Sequence, residues 1–502
     1  MFQQVPIKFQ PGLYANRSAR SSQQRWVDGN LVRFRDGVPE QIGGWVRAPT
    51  AGATILGVPR EMIAFRLNNQ IGRYAGIGTH RAFYLFNGSD VTDITPVSFV
   101  QGRQDTLIGA GYGAGPYGRG KYGTRRLVAG SLLDASVWTA DTFGQLLLAC
   151  FNFDGKVYKY DLAAADTKLV VVPGITARAV CVSDQRHAFY FGAQGDPARV
   201  IWSDREDYTN ITPSITNRAG GYNVQATSAF QCGRRVRGYV LGWTGTELFG
   251  FFPLNNTLVY GFERLGTNCG ACGPQSVAVV TTSEAETAYW MGPENFFGFD
   301  GAVRELDCEL RDFVFNNINR DQRAKFVART NTKYSEIWFF YCSAGSIEID
   351  RAVIYDYARE LWTKADLSRT IWMDRGIFQN PIAMDAAGLV YEHESGDSAN
   401  GTLMGSYVVS HPITIGVGQQ FALVNQFWPD MQEGSKDCDL SFVTRDYPGG
   451  PDVTYGPYRF AWTDGKMDLA INARQFQFKI AGAGGKWEMG TPLLSMKGGS
   501  LR

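Results

Sequence analysis

Three tight-turn signals in the middle of the chain recur at one interval, and a fixed spacing between turns constrains the fold more than any composition does. Thr244-Gly245, Asp300-Gly301 and Asp356-Tyr357 begin 56 residues apart at each step (244, 300, 356). Aromatic, strand-like runs flank them. Val240 and Trp243 precede the first tip and Phe249 and Phe251 follow it; Phe296, Phe297 and Phe299 precede the second. Trp338, Phe339 and Phe340 lie upstream of the third, with Trp362 after it. A Glu-Leu pair follows each tip: Glu247-Leu248, Glu305-Leu306 and Glu360-Leu361. Short strands and tight turns at such a period read as one four-stranded blade per repeat of a β-propeller. Blades cannot bury their faces alone and must stack around an axis, so function is expected in the loops and the central opening.

Further turn signals extend the pattern less regularly. Asn87-Gly88, Asp154-Gly155 and Asp36-Gly37 each follow a short strand-like run, and Asn-Gly and Asp-Gly tolerate the positive φ that two-residue hairpins need. Thr92-Asp93-Ile94-Thr95-Pro96 returns as Thr209-Asn210-Ile211-Thr212-Pro213, 117 residues later (92, 209) and close to two periods. Degenerate repetition therefore runs through about the first four-fifths of the chain. One helix is expected over Cys308 to Asn319, where Leu310, Phe313, Val314 and Ile318 form an apolar stripe suited to packing over a blade edge. After Glu394 the run Ser395 to Gly401 reads as a linker. Tyr407–Val409, Phe421–Val424, Leu440–Val443, Met467–Ile471 and Phe476–Ile480 then follow as strands. The expected division is a propeller over 1–394, with a Gly/Tyr/Arg-rich loop at 102–126, and a β-sandwich-like domain over 395–502; a closing pair of blades also fits the last segment.

Net charge and cysteines exclude several classes. With 502 residues the chain is long enough to bury several blades, and its net charge of +1 is no bulk attraction for a polyanion, so any nucleic-acid contact must come from local patches. No apolar run approaches the roughly 20 residues of a membrane span. Pro6 and Lys8 fall where an export signal would be apolar, so none is expected. The 8 cysteines are scattered, and Cys269-Gly-Ala-Cys272 has neither a second pair nor nearby histidines. That argues against a structural zinc site and for reduced, buried strand thiols.

Catalytic motifs are missing from the sequence: there is no Gly-x-Ser-x-Gly and no His-Glu-x-x-His. The acidic clusters Asp204-Arg205-Glu206-Asp207 and Glu392-His393-Glu394 adjoin turn residues and read as solvated turns; paired carboxylates at a propeller mouth could otherwise hydrolyse glycosides. The tract Gly109 to Gly123 matches Gly-x-Gly-x-x-Gly twice, but Pro116 and alternating Tyr-Gly supply neither the strand nor the helix that dinucleotide binding needs. The longer stretch Arg103 to Arg126 carries Arg103, Arg119, Lys121, Arg125 and Arg126 against Asp105, with Tyr112, Tyr117 and Tyr122 interleaved. Such a segment can stack on bases and lie along phosphates, dock on a neighbouring subunit, or serve as a soluble loop. These eight basic and aromatic residues are the candidate channel or subunit contacts. No catalytic, cofactor-binding or metal-binding residue is assigned.

Several segments carry a resemblance. Phe9-Gln-Pro-Gly-Leu-Tyr-Ala-Asn16, Gly29-Asn-Leu-Val-Arg-Phe-Arg-Asp-Gly37 and Ile42-Gly-Gly-Trp45 resemble a family of short-tailed bacteriophage tail proteins. So do Arg199 to Asp207, Leu265 to Pro274, Ala288 to Gly292 and Arg311 to Asn319, as well as Arg474 to Ile480 with Trp487 to Gly490. The likeness covers most of the chain. It implies a tail nozzle or tail tubular (packaged-DNA stabilisation) protein: a propeller subunit in a homohexameric tube below the portal and its adaptor ring. Such a tube retains the packaged double-stranded DNA and conducts it during ejection, with fibres or spikes attached outside. The resemblance implies a virion protein assembled in the host cytoplasm, without cofactor or enzymatic activity, and it transfers no site residue. A propeller-type host-adsorption protein, lectin or glycosidase, is the alternative, and a cellular propeller scaffold the third.

Overall fold

The computed structural model describes residues 2–499 apart from 17–23, 68–71, 109–131, 165, 255, 257, 284, 415–419 and 448–449. Its architecture is all-β: a propeller with irregular blades joined to a β-sandwich. Seven sheets, each opening on an inner strand, form the ring among the described residues. The inner strands are Pro59–Phe65, Trp138–Phe143, Ala179–Val182, Phe230–Val236, Val277–Thr281, Val327–Asn331 and Ile371–Met373. Each lies beside the next, and the seventh returns to the first. The seventh blade is closed from the other end of the chain. Its three late strands, Ile371–Met373, Ile382–Met384 and Val390–His393, are completed by the early strand Trp45–Arg47, with His393 opposite Trp45. A ring closed by a distant strand cannot open at one blade without breaking that ladder, and it leaves no unpaired seam.

The turn signals are real, but their equal spacing is not the blade period. Thr244-Gly245 joins the second and third strands of blade four (Tyr239–Thr244, Glu247–Pro253), whereas Asp300-Gly301 and Asp356-Tyr357 follow the third strands of blades five and six. From the second blade on, inner strands begin at 138, 179, 230, 277, 327 and 371, so the repeat is shorter than 56 residues and uneven. The copied phrase is likewise inequivalent. Thr92-Asp93 ends the fourth strand of blade one, while Thr209 to Pro213 is a loop after the third strand of blade three.

Blades stack through different large side chains at each interface, which is why the repeat is weak in sequence. The Trp138 indole donates to Thr79 O (2.8 Å), Trp290 to Cys269 O (2.7 Å) and Trp372 to Thr330 O (3.0 Å). Between blades three and four Phe191 fills the space instead, and a Cβ on Gly233 would fall 2.1 Å from its ring. Glycine inside that strand is what lets the two blades approach. The expected helix shrinks to Arg311–Phe315, followed by a 3-10 turn over Arg320–Lys325 that Asn319 caps. Leu310 and Val314 are buried as the stripe requires.

The sandwich draws on both ends of the chain. One sheet orders Gln3–Pro6, Leu493–Gly498, Ala422–Trp428 and Met467–Ala473. The other orders Gln10–Leu13, Arg25–Asn30, Tyr407–Ser410, Gln475–Gly482, Cys438–Arg445 and Val453–Phe460, with Ile413–Thr414 beside Gln475–Gly482. Strict alternation along Cys438–Arg445 puts Leu440 and Phe442 inside with Phe476, Phe478 and Ile480, as the two-residue period of a half-buried strand dictates. A boundary at 394/395 therefore does not follow the sheets at the N-terminus, because the first thirty residues belong with the strands after 395. No helix among the described residues is long and apolar enough to cross a membrane.

Candidate functional site

The axis of the ring, where the sequence placed a central opening, is occupied by its own side chains. Glu61 from the first inner strand, Arg329 from the sixth and Gln275, just before the fifth, meet there with Arg234 of the fourth. Arg329 Nη2 donates to Glu61 Oε1 (3.2 Å) and to the Gln275 side-chain oxygen. The Gln275 amide donates to Glu61 and to Trp138 O (2.6 Å), and Arg234 donates to Pro274 O (3.2 Å). Five blades are thus tied across the axis. Burial pushes the Glu61 carboxyl up against the opposing pull of Arg329 and Arg234. It lowers Arg329 to about 10, still protonated at neutral pH. Both side chains are taken up by partners within this network.

One mouth of the ring is bridged by the chain leading into the Gly/Tyr/Arg-rich tract. The Arg60 guanidinium, 1 % exposed, grips Glu348 with two bonds (2.7 and 2.6 Å). Lys325, fully buried, pairs with Asp105 at 2.5 Å and reaches Ile347 O at 2.6 Å. Burial works against the Glu348 charge, but Arg60 and Lys325 outweigh it and hold the carboxyl below its ordinary range. The Gln322 side chain accepts from Thr106 N (3.1 Å). The tract then leaves on a two-stranded stem in which Leu107 opposes Leu133 and Ile108 opposes Leu132. Arg103 is spent at the foot of this stem: its backbone donates to Ser136 Oγ (2.8 Å), its Nε to Asp134 O (3.1 Å), and it lies over the Phe153 ring. These contacts hold Arg103 at the foot of the stem. Tyr112, Tyr117, Arg119, Lys121, Tyr122, Arg125 and Arg126 lie outside the described residues.

A third charged cluster fastens an early hairpin to blade six and the end of blade seven. Arg33, on the hairpin Val32–Arg35/Val38–Gln41, is 5 % exposed and donates from Nε to Glu336 (2.7 Å) and from Nη2 to Glu394 (2.6 Å). Asn331 donates to both carboxylates (3.1 and 3.0 Å), Trp338 to Glu336 (3.0 Å) and Gly43 N to Glu394 (3.1 Å). Glu394 is not part of a solvated turn, as its sequence neighbourhood suggested: its side chain is 2 % exposed and belongs to this clamp. Burial raises the Glu336 carboxyl, opposed by Arg33. Glu206, by contrast, is solvent-exposed and paired with Arg186. Charges inside otherwise apolar strands are the signal that could have found these residues: Glu336 in Glu-Ile-Trp-Phe-Phe-Tyr, Arg60 and Glu61 in Pro-Arg-Glu-Met-Ile-Ala-Phe.

The cysteines are buried and unbonded to one another. Burial pushes the Cys269 thiol up to about 11 and Cys272 to about 12, so both stay protonated at neutral pH. Among the described residues no three His, Cys, Asp or Glu side chains are grouped to hold a metal.

No protein-family model matches the chain, and no curated protein does. Similar solved structures include a Bacteroides fragilis protein provisionally named a 6-phosphogluconolactonase, 8% identical, covering 67% of this chain and 90% of that one with a TM-score of 0.39. A Bacteroides uniformis protein of the same provisional name is 8% identical, covering 70% and 94%, also at 0.39. An exo-β-1,3-galactanase from Phanerochaete chrysosporium is 10% identical, covering 91% and 100%, at 0.29.

Proposed function

We propose that this chain is a structural subunit of a short-tailed bacteriophage tail, a nozzle component below the portal and adaptor that retains packaged DNA and conducts it during ejection. The observation that carries the reading is the filled axis. Glu61, Arg329, Gln275 and Arg234 satisfy one another where a propeller enzyme would keep a chamber, so the ring serves as a body and not as a pore. A conduit then has to form between copies, as in the homohexameric tube that the family resemblance implies. The resemblance adds support of its own. Two of its segments, Gly29 to Gly37 and Ile42 to Trp45, contain Arg33 and Gly43, which build the clamp between the early hairpin and the propeller.

Electron microscopy of the purified protein, and of particles lacking it, tests the reading. A six-fold ring or tube, and loss of genome from the defective particles, are the expected results. Intact tails and retained genomes in its absence would refute it. Cleavage or tight binding of host polysaccharide by the pure protein would instead favour the host-adsorption alternative.

A further inference from the structure

A polar cleft of about 290 Å³ lies between the Val32–Arg35/Val38–Gln41 hairpin and the turns of blade six. Four cations, Arg33, Arg35, Lys333 and Arg359, and two carboxylates, Glu336 and Asp356, line it. The pairing is uneven. Arg33 is consumed by Glu336 and Glu394, and Arg359 by Asp356 at 3.0 Å. Arg35, with a side chain 53% exposed, comes no nearer than 4.0 Å to Glu40, a carboxylate that Lys486 also approaches at 3.9 Å. Lys333 has no ion-pair partner among the described residues; its ammonium lies 5.2 Å from the centre of the Tyr334 ring. Two cations therefore face the cleft with charge to spare, beside Ser335 and Thr363.

We propose that this cleft binds a phosphoryl group. Arg35 and Lys333, the two cations left without a close carboxylate, can approach one anion, and cations from two chain segments suit a tetrahedral anion better than a planar carboxylate, for which one bidentate arginine suffices. Hydroxyls can donate to the remaining oxygens. The volume admits a phosphate or phosphomonoester and excludes a duplex, whose major groove alone is about 12 Å wide. Phe34, Ile354 and Leu361 complete the wall and offer apolar contact to whatever the phosphate is attached to. The site is distinct from the axial network and from the stem of the Gly/Tyr/Arg-rich tract.

Calorimetric titration of the full chain at constant ionic strength provides the test, with inorganic phosphate in one arm and a nucleoside 5′-monophosphate in the other. Saturable binding is expected, weakened at least tenfold by Arg35→Ala or Lys333→Ala and abolished by the double variant. Arg205→Ala, an exposed change elsewhere, should leave binding unaltered. Circular dichroism of each variant should match the parent, because both side chains project from the surface. Equal affinity for the two ligands would mark a free-anion site, and tighter monophosphate binding a phosphomonoester site; either upholds the proposal. No saturable heat with either ligand, or undiminished affinity in the double variant, overturns it.

Discussion

At the scale of single residues the strongest expectation concerns Arg33, the cation between two buried carboxylates. Replacing it with methionine keeps the volume and strands Glu336 and Glu394. Breaking a buried pair from one side typically costs about 3–5 kcal/mol, so Arg33→Met should lower the thermal midpoint clearly. Its pH dependence follows from the sign of the shift. Burial already raises the Glu336 carboxyl above its ordinary 4.5, and losing Arg33 raises it further. The folded variant would hold a proton that the unfolded chain has released, so its stability falls as pH rises above about 4.5. The deficit relative to the parent should be smaller at pH 5 than at pH 8; a deficit independent of pH would contradict this account. The buried histidines run the other way. His393, 1 % exposed, accepts from Arg369 Nε (2.9 Å) and is held well below 6.5 by burial and by that cation, while His80 is lowered by burial to about 4. A depressed basic group leaves the unfolded chain binding more protons, so stability is lost as pH falls below 6.5, by up to roughly 1.4 kcal/mol per pH unit for each histidine. His393→Gln preserves an acceptor for Arg369 without titrating. Denaturation curves across pH 4.5–7 should show a shallower acid loss in this variant than in the parent.

Among the elements, the axial network calls for a double-mutant cycle. Glu61→Gln or Arg329→Met alone leaves an uncompensated buried charge, whereas the double variant removes both. The singles should each be destabilised by more than the double, measured by urea unfolding, since paired removal of a buried ion pair is often near neutral. Additive losses would show that the two act separately. A related expectation concerns the Gly/Tyr/Arg-rich tract. Its stem is tied to the ring through Asp105–Lys325 and Thr106–Gln322, so deleting residues 109–123 spares the anchors. Under the tail reading the deletion should weaken tail assembly or genome retention, with milder effects when Arg119, Lys121, Arg125 and Arg126 become Ser. Normal infectivity of the deletion mutant would assign the tract no such role. These elements also show where sequence reading reached its limit. Asn87-Gly88 and Asp154-Gly155 were legible as hairpin tips because the turn itself selects those residues. The axial ties were not, because Glu61, Gln275 and Arg329 are 54 to 268 residues apart and only ring closure brings them together.

For the molecule as a whole, the strand-rich fold was legible from turn chemistry and aromatic runs, and the strands after residue 395 from their alternation. What the sequence hid was the way its ends are shared. Trp45–Arg47 closes the last blade, and Gln10–Leu13 and Arg25–Asn30 join the sandwich; pairings of residue 47 with 391 or of 30 with 407 leave no local signature. This sharing yields the last expectation. A fragment ending at 394 retains Arg25–Asn30 but loses Tyr407–Ser410, the strand opposite it. Trp26 and Leu13, buried in the full chain, would be uncovered beside an unpaired strand edge, a template for association. A fragment spanning 31–394 removes those strands yet keeps the Arg33 clamp and the Trp45–Arg47 closure. Size-exclusion chromatography should therefore find 31–394 monomeric and 1–394 self-associating, although the shorter fragment contains less of the chain. A soluble, monomeric 1–394 fragment would mean that the first thirty residues can fold without the sandwich, contrary to the sheet order seen here.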